Sequence, residues 1–294
     1  MRERFLLFSI GVWVLIGGTS GCEKNPRAPE HVLDGAAMGT TWSLRYSGSE
    51  MGELDRRVAD RLEELEAIFS TWREGSLVSQ LNRGDEPPLP QDYTRLARLA
   101  GEMRERTGGI FDVALGESVE AAGFGSGLGG RLDYSGIAKG YAVDEIGSLL
   151  ESLGVEAFLF ELGGELLGRG PRDWRVGLEA PDPGSVGRSR RVISLRNQAV
   201  ATSGVYRLFR GDQNHLIDPR SRRPVAGDCV SVSVVADTCA EADASATALM
   251  VLGVEAGSAL ARRLGLHAYF VERLADGSLV ETGPDRDSPP DVTR

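Results

Sequence analysis

LDYSGIAKGYAVDEIGSLLESLGVEAFLFELGGE, residues 132–165, decides the architecture. From Ala138 to Leu153 the apolar positions Ala142, Ile146, Leu149, Leu150 and Leu153 fall on one helical stripe, and Gly154 is the stop a helix C-terminus favours. Ala157 to Leu162 is then an apolar run of strand length, closed by Gly163-Gly164. Working outward towards the N-terminus, Thr40 to Tyr46 reads as a strand, and Asp55 to Phe69 as a helix burying Val58, Leu62, Leu65 and Phe69. Pro87, Pro88 and Pro90 mark a loop. Tyr93 to Thr107 has helical spacing and stops at Gly108-Gly109, which hands on Ile110-Phe111-Asp112. Towards the C-terminus, Trp174 to Leu178, Arg191 to Leu195, Val230 to Val235 and His267 to Glu272 read as strands. Ala240 to Leu252 and Glu255 to Leu264 read as helices. Strands and helices mix without strict alternation, so the expected class is α+β, mixed sheets with packed helices, and not a doubly wound parallel sheet.

The chain has 294 residues, 41% of them hydrophobic, enough for a sizeable core. Its 43 acidic against 33 basic residues give a formal net charge of -10, which offers nucleic acid no electrostatic invitation. Arg2 and Arg4 followed by the apolar run Phe5 to Ile16 read as an export signal, too short to span a bilayer comfortably. Thr19-Ser20-Gly21-Cys22 resembles a bacterial lipobox, with Thr19 where leucine is usual. The expectation is a signal peptide over 1–21, a lipidated Cys22 with a polar tether over 22–33, one domain over 34–273 and a polar tail over 274–294. Such a chain belongs in the bacterial cell envelope, held to the membrane by lipid and facing the periplasm or the exterior. Cys229 and Cys239 flank a β-branched run in a compartment where disulfides persist, and the sequence leaves their pairing open.

Three glycine-rich junctions carry polar groups, and each alone is ordinary turn chemistry. Asp133 and Ser135 precede a helix whose free N–H groups favour an anion, and Lys139 adds a positive charge in its first turn. Ser135 serves equally as a cap, and Lys139 as a solvated surface charge. Asp243 and Thr247, four apart, share a helical face and offer a carboxylate and a hydroxyl, hard ligands suited to Mg2+. The bland alternative is a helix cap and a buried filler. Ala201-Thr202-Ser203-Gly204 is followed by His215-Leu216-Ile217-Asp218-Pro219. With His31 and His267 the only other histidines, His215 is the main candidate for a proton acceptor near neutral pH.

Together these segments resemble the ApbE family of FAD:protein FMN transferases. The matching pieces are Met38-Gly39-Thr40-Thr41-Trp42, Ser70-Thr71-Trp72 with Ser76 to Asn82, Gly108 to Asp112, Asp133 to Asp144, Gly163-Gly164-Glu165, Thr202 to Gly204, His215 to Pro219 and Ala242 to Thr247. The resemblance implies that the FAD pyrophosphate lies near Asp133 and Lys139, with Mg2+ held by Asp243, Thr247 and the main-chain carbonyl of Gly136. It further implies that Met38, Trp72, Ile110, Phe111 and Asp112 line the flavin or adenine pockets and that Ile217 sits near the cofactor. Trp72 stands where the family often has tyrosine, a change that keeps a stacking ring. Ala246 stands where the family frequently has a second acid, so a water replaces one ligand. The implied reaction is attack by a threonine or serine hydroxyl on the FMN-side phosphorus of FAD, with AMP leaving and His215 a candidate base. The implied acceptors are flavin-carrying subunits of membrane redox complexes. Three other readings stay open at this level: an FAD pyrophosphatase using water as nucleophile, a non-catalytic FAD-binding lipoprotein, and a purely structural envelope lipoprotein.

Overall fold

The structure, a computed structural model, describes residues 13–14, 29–179, 189–205, 209–210 and 213–284. In chain order the elements are β1 (Trp13–Val14), β2 (Glu30–Ala37), β3 (Thr40–Ser47), α1 (Leu54–Phe69), α2 (Leu77–Asn82), α3 (Gln91–Arg106), α4 (Gly116–Ala121) and α5 (Ser135–Ser152). Then come β4 (Ala157–Leu162), β5 (Glu165–Arg169), β6 (Trp174–Glu179), β7 (Ser189–Leu195) and β8 (Gln198–Gly204). The short strands β9 (Phe209–Arg210), β10 (Gln213–Asn214), β11 (Ile217–Asp218) and β12 (Arg223–Pro224) lead into β13 (Cys229–Ala236), α6 (Cys239–Leu264), β14 (His267–Arg273) and β15 (Leu279–Thr282).

Eight strands form the main sheet in the order β15-β14-β13-β8-β5-β4-β3-β2, and each neighbouring pair is antiparallel. The class is α+β, as the mixed order of elements implies. Alternation along β4 splits its side chains between two cores: Phe158, Phe160 and Leu162 pack with Val58, Leu62, Ile146 and Leu150 of α1 and α5, whereas Leu159 packs with Trp174, Val176 and Leu195 of the β6–β7 ribbon. β13 is sandwiched between α6 on one side and this second layer on the other, so all eight of its residues are buried. Its sequence alternates valine with Ser231 and Ser233, and these small side chains are buried as well, Ser233 pairing its hydroxyl with Thr202 of β8 at 2.8 Å. Met38 and Gly39, both with positive φ, turn β2 into β3 as a two-residue hairpin.

Three features differ from the sequence expectation. β2 begins at Glu30 and is paired with β3 along its length, so ordered chain starts ahead of residue 34 and shortens the tether. β15 lies within the stretch read as a polar tail; it pairs with β14, and its Glu281 meets both Arg190 and Arg191 of β7. β5 and β8, which the apolar pattern does not reveal, are central strands. Cys229 and Cys239 are free and buried. Cys229 opens β13 and Cys239 lies past the strand's other end at the start of α6, roughly 23 Å away at strand rise and too far for a disulfide. The two C-terminal helices run through as α6, interrupted at Gly253, whose φ of 73° and ψ of -175° are not helical. Trp13–Val14 pairs with β6; the rest of the signal segment, Cys22 and residues 285–294 lie outside the described residues.

Candidate functional site

The centre of the site is the crossing of α5 and α6. Gly136, Gly140 and Asp144 recur every fourth residue on α5, and Cys239, Asp243 and Thr247 do the same on α6. The two faces run antiparallel: Thr247 lies against Gly136, Asp243 against Gly140, and the first turn of α6 against Asp144. Glycine is needed for this approach, because a Cβ on Gly140 would lie 2.4 Å from the Cys239 carbonyl oxygen and 2.8 Å from Asp243 Cβ. The Gly140 N–H donates to Asp243 Oδ2 at 3.0 Å. In a regular helix that single hydrogen belongs to the Gly136 carbonyl, so this carbonyl keeps at most a share of its donor. Thr247 Oγ1 lies where a Gly136 side chain would point, 3.2 Å from the position of its Cβ, and pairs with Ser203 Oγ of β8 at 3.2 Å.

Lys139 does not project into solvent as a first-turn surface charge. Its Nζ lies 2.6 Å from Glu165 Oε1 at the start of β5, and the Glu165 side chain is 2% exposed. Burial alone would lower the Lys139 pKa; the facing carboxylates of Glu165 and Asp243 outweigh this and raise it. Burial raises the pKa of both Asp243 and Glu165, with Lys139 opposing the rise in each. Glu165 Oε2 is buried without a hydrogen-bond partner. The crossing therefore holds two carboxylates, one ammonium, a hydroxyl pair and an under-used carbonyl.

Asp133 folds its Oδ1 onto the Ser135 N–H at 2.8 Å, fixing the entry to α5 with a local turn. Phe111 is buried, with its ring edge 3.5 Å from where a Gly136 Cβ would stand, and its N–H donates to Thr107 Oγ1 at 3.0 Å. Asp112 accepts from Ala114 N–H at 2.9 Å and from Arg104 at 3.1 Å, while Ile110 packs at the core margin. The Met38 N–H donates to Glu66 Oε2 at 3.0 Å, tying the β2–β3 turn to the end of α1. Trp72, just past α1, is 56% exposed. His215, between β10 and β11, is half-buried with its ring edge-on to Phe124 at 6.1 Å, and Ile217 is buried on β11.

Gly136, Lys139, Asp243 and Thr247 thus meet directly, and Phe111 joins them through Gly136. Met38, Trp72, Asp112, His215 and Ile217 come from separate segments. Sequence reading did not foresee the partnership of Glu165 with Lys139 or of Gly140 with Asp243. The four-residue spacing of small residues on both helices was the available signal. Among the described residues no three His, Cys, Asp or Glu side chains converge as a metal cage. One carboxylate, one hydroxyl and a carbonyl that shares its donor suit a hard cation that keeps waters and substrate phosphates in its shell, and not zinc.

Fold and site together define a class: an antiparallel-sheet α+β protein with an oxygen-lined helix crossing suited to a phosphate-bearing ligand. Within that class, the chain belongs to the ApbE family, whose model matches residues 38–129 and 127–270. It is similar to the FAD:protein FMN transferase of Vibrio cholerae, 32% identical over 314 residues that cover 88% of this chain and 91% of the relative. In fold it resembles the solved flavin transferase ApbE from Vibrio cholerae, with a TM-score of 0.77, 29% identity and coverage of 88% of this chain and 98% of that one. It likewise resembles the Pseudomonas stutzeri flavinyl transferase ApbE in its apo form, with a TM-score of 0.78, 29% identity and coverage of 88% and 96%.

Proposed function

We propose that this chain is an FAD:protein FMN transferase that moves FMN from FAD to a threonine or serine hydroxyl of a target protein, using Mg2+ held by Asp243, Thr247 and the Gly136 carbonyl. The observation that carries the metal reading is the Gly140 N–H turned onto Asp243, which frees hard-oxygen character at Gly136 beside Thr247. Mg2+ at this crossing supplies neutralisation of the pyrophosphate and of the charge that develops on its oxygens during transfer.

The chain's own groups do the rest. The N–H groups that open α5 and the Lys139 ammonium favour the pyrophosphate, and Glu165 holds Lys139 in place. Phe111 closes the floor of the crossing against water. The acceptor oxygen forms a bond to the FMN-side phosphorus, the bond to AMP breaks, and AMP departs with the pyrophosphate-bridge oxygen. His215, edge-on to Phe124, is the candidate to take the hydroxyl proton, with Asp218 or solvent as the alternative acceptors. Lipid on Cys22 holds the enzyme to the envelope membrane, where flavin-carrying subunits of membrane redox complexes are the acceptors this placement favours.

The test is to incubate the protein, freed of its export signal, with FAD, Mg2+ and an acceptor domain, and to weigh the acceptor. An FMN-sized mass gain that Asp243→Ala reduces at least a hundredfold supports the reading. Free FMN and AMP with an unmodified acceptor would instead make the protein an FAD pyrophosphatase.

A further inference from the structure

Asp144 lies two turns beyond Gly140's neighbour Gly136 on the same face of α5, roughly 12 Å along the helix axis from that glycine. Its side chain does not serve its own helix. Oδ1 accepts the Cys239 N–H at 2.8 Å and Oδ2 accepts the Ala240 N–H at 2.9 Å, so one carboxylate occupies the first two free donors of α6. One turn further along, the sense reverses: Asp243 of α6 accepts the Gly140 N–H of α5. Two carboxylates on opposite helices thus stitch the same crossing from both sides. The capping residue of α6 itself, Thr238, makes only a long bond of 3.4 Å to the Glu241 N–H. At Gly136 and Gly140 the α5 side of the crossing is bare backbone, so Thr247 and Asp243 of α6 meet main chain there, and the two carboxylate–amide bonds add a polar register to that contact.

We infer that Asp144 is a positioning residue that sets the register of α6 on α5, and thereby the spacing of the Gly136 carbonyl from Asp243 and Thr247. The inference rests on the proposed ligand role of those three groups. Asparagine at 144 offers one acceptor and turns an N–H2 towards the second amide, so one stitch is lost and the register relaxes.

The experiment measures Mg2+ binding to the metal-free full chain by calorimetry, together with amide exchange at Gly140 and the thermal midpoint. Asp144→Asn is expected to weaken Mg2+ binding about tenfold, the scale of lost outer support at a metal site, and to speed Gly140 exchange. Thr238→Ala, which frays the start of α6 without touching α5, is expected to lower the midpoint and leave Mg2+ affinity within about twofold. Wild-type Mg2+ affinity with a protected Gly140 in Asp144→Asn overturns the inference, as does an equal loss of affinity in Thr238→Ala. Should Asp144→Asn not fold, Asp144→Glu, whose longer arm displaces both amides, is read by the same criteria. If Asp243→Ala binds Mg2+ as tightly as the wild type, the ligand reading fails instead, and Gly140 exchange in the Asp144 variants still decides the register.

Discussion

Glu161, the penultimate residue of β4, accepts the Gly164 N–H with its Oε1 at 2.8 Å, a bond that shapes the turn into β5. Burial pushes its pKa up to about 7; the Gly164 bond and Lys139 pull it down, and Asp34 adds to the rise. A carboxyl with a raised folded pKa holds a proton that the unfolded chain has already lost. Its stabilisation is therefore full below the ordinary value of 4.5, declines as pH climbs towards about 7, and changes little above that. Glu161→Gln keeps an acceptor for Gly164 and removes the charge. Its unfolding free energy should exceed that of the wild type by about 1–3 kcal/mol at pH 8 and match it near pH 4.5. Denaturation curves at the two pH values check this, and an equal gain at both would mean that charge burial is not the source. The neighbouring Lys139 shows where sequence reading stops at this scale. A lysine in a first helical turn is usually solvated, and only the return of the chain through the Gly163-Gly164 turn brings Glu165 against it. The shared helical face of Asp243 and Thr247 was legible from their spacing; Gly136 entered only through the family resemblance, and the close approach at Gly140 did not show, since a missing side chain leaves no polar signal.

Between elements, the α5–α6 crossing converts two glycines into different sensitivities. A methyl on Gly140 would collide with backbone, the Cys239 carbonyl at 2.4 Å, whereas one on Gly136 would meet the Thr247 side chain at 3.2 Å. Backbone cannot step aside without moving a helix, so Gly140→Ala should cost about 1–3 kcal/mol and lower the thermal midpoint by several degrees. Gly136→Ala needs a shift of only a few tenths of an ångström and should leave the midpoint within about two degrees. Thermal unfolding of the two variants compares them directly, and an equal loss would contradict the crossing geometry. The long helices were readable because each buries a stripe against a layer, as Val58, Leu62, Leu65 and Phe69 of α1 show; the six-residue α2 and α4 are too short to display one. Strands β5 and β8 were not, and for a physical reason. β8 is Gln-Ala-Val-Ala-Thr-Ser-Gly, small and polar, and it is held by main-chain bonds to β5 and β13 more than by apolar bulk. β2 and β15 are edge strands with half-exposed alternation, which resembles loop composition. The last two helices were read as separate segments, and Gly253 breaks the helix between them with a backbone conformation that side chains rarely adopt.

At the scale of the molecule, the direction of β2 sets how far the site would stand from a membrane if lipid is carried on Cys22. β2 enters at Glu30, which pairs with Ser47, and Ser47 pairs with Ala157; these three mark one end of the sheet. At the opposite end Ala37 pairs with Thr40, Thr40 lies against Gly163, and Glu165 reaches Lys139 at the helix crossing. An eight-residue strand spans about 26 Å, so the chain enters roughly that far from the site. Residues 22–29 reach at most about 28 Å when extended. With lipid on Cys22 and β2 upright on the membrane, the site stands between about 25 and 55 Å from the bilayer surface. Acceptors whose hydroxyl projects from the membrane on a folded domain come within reach, and hydroxyls lying at the lipid surface do not. The prediction is tested with the lipidated protein and a membrane-anchored acceptor in the same vesicles, the hydroxyl being raised on rigid spacers of graded length while bound flavin is measured. Labelling should be strong only above a threshold height, the threshold should fall when the tether is lengthened by a flexible insert, and detergent should abolish the dependence because both partners then tumble freely. Equal labelling of a hydroxyl at the lipid surface would mean that the enzyme lies on its side, with the sheet parallel to the membrane.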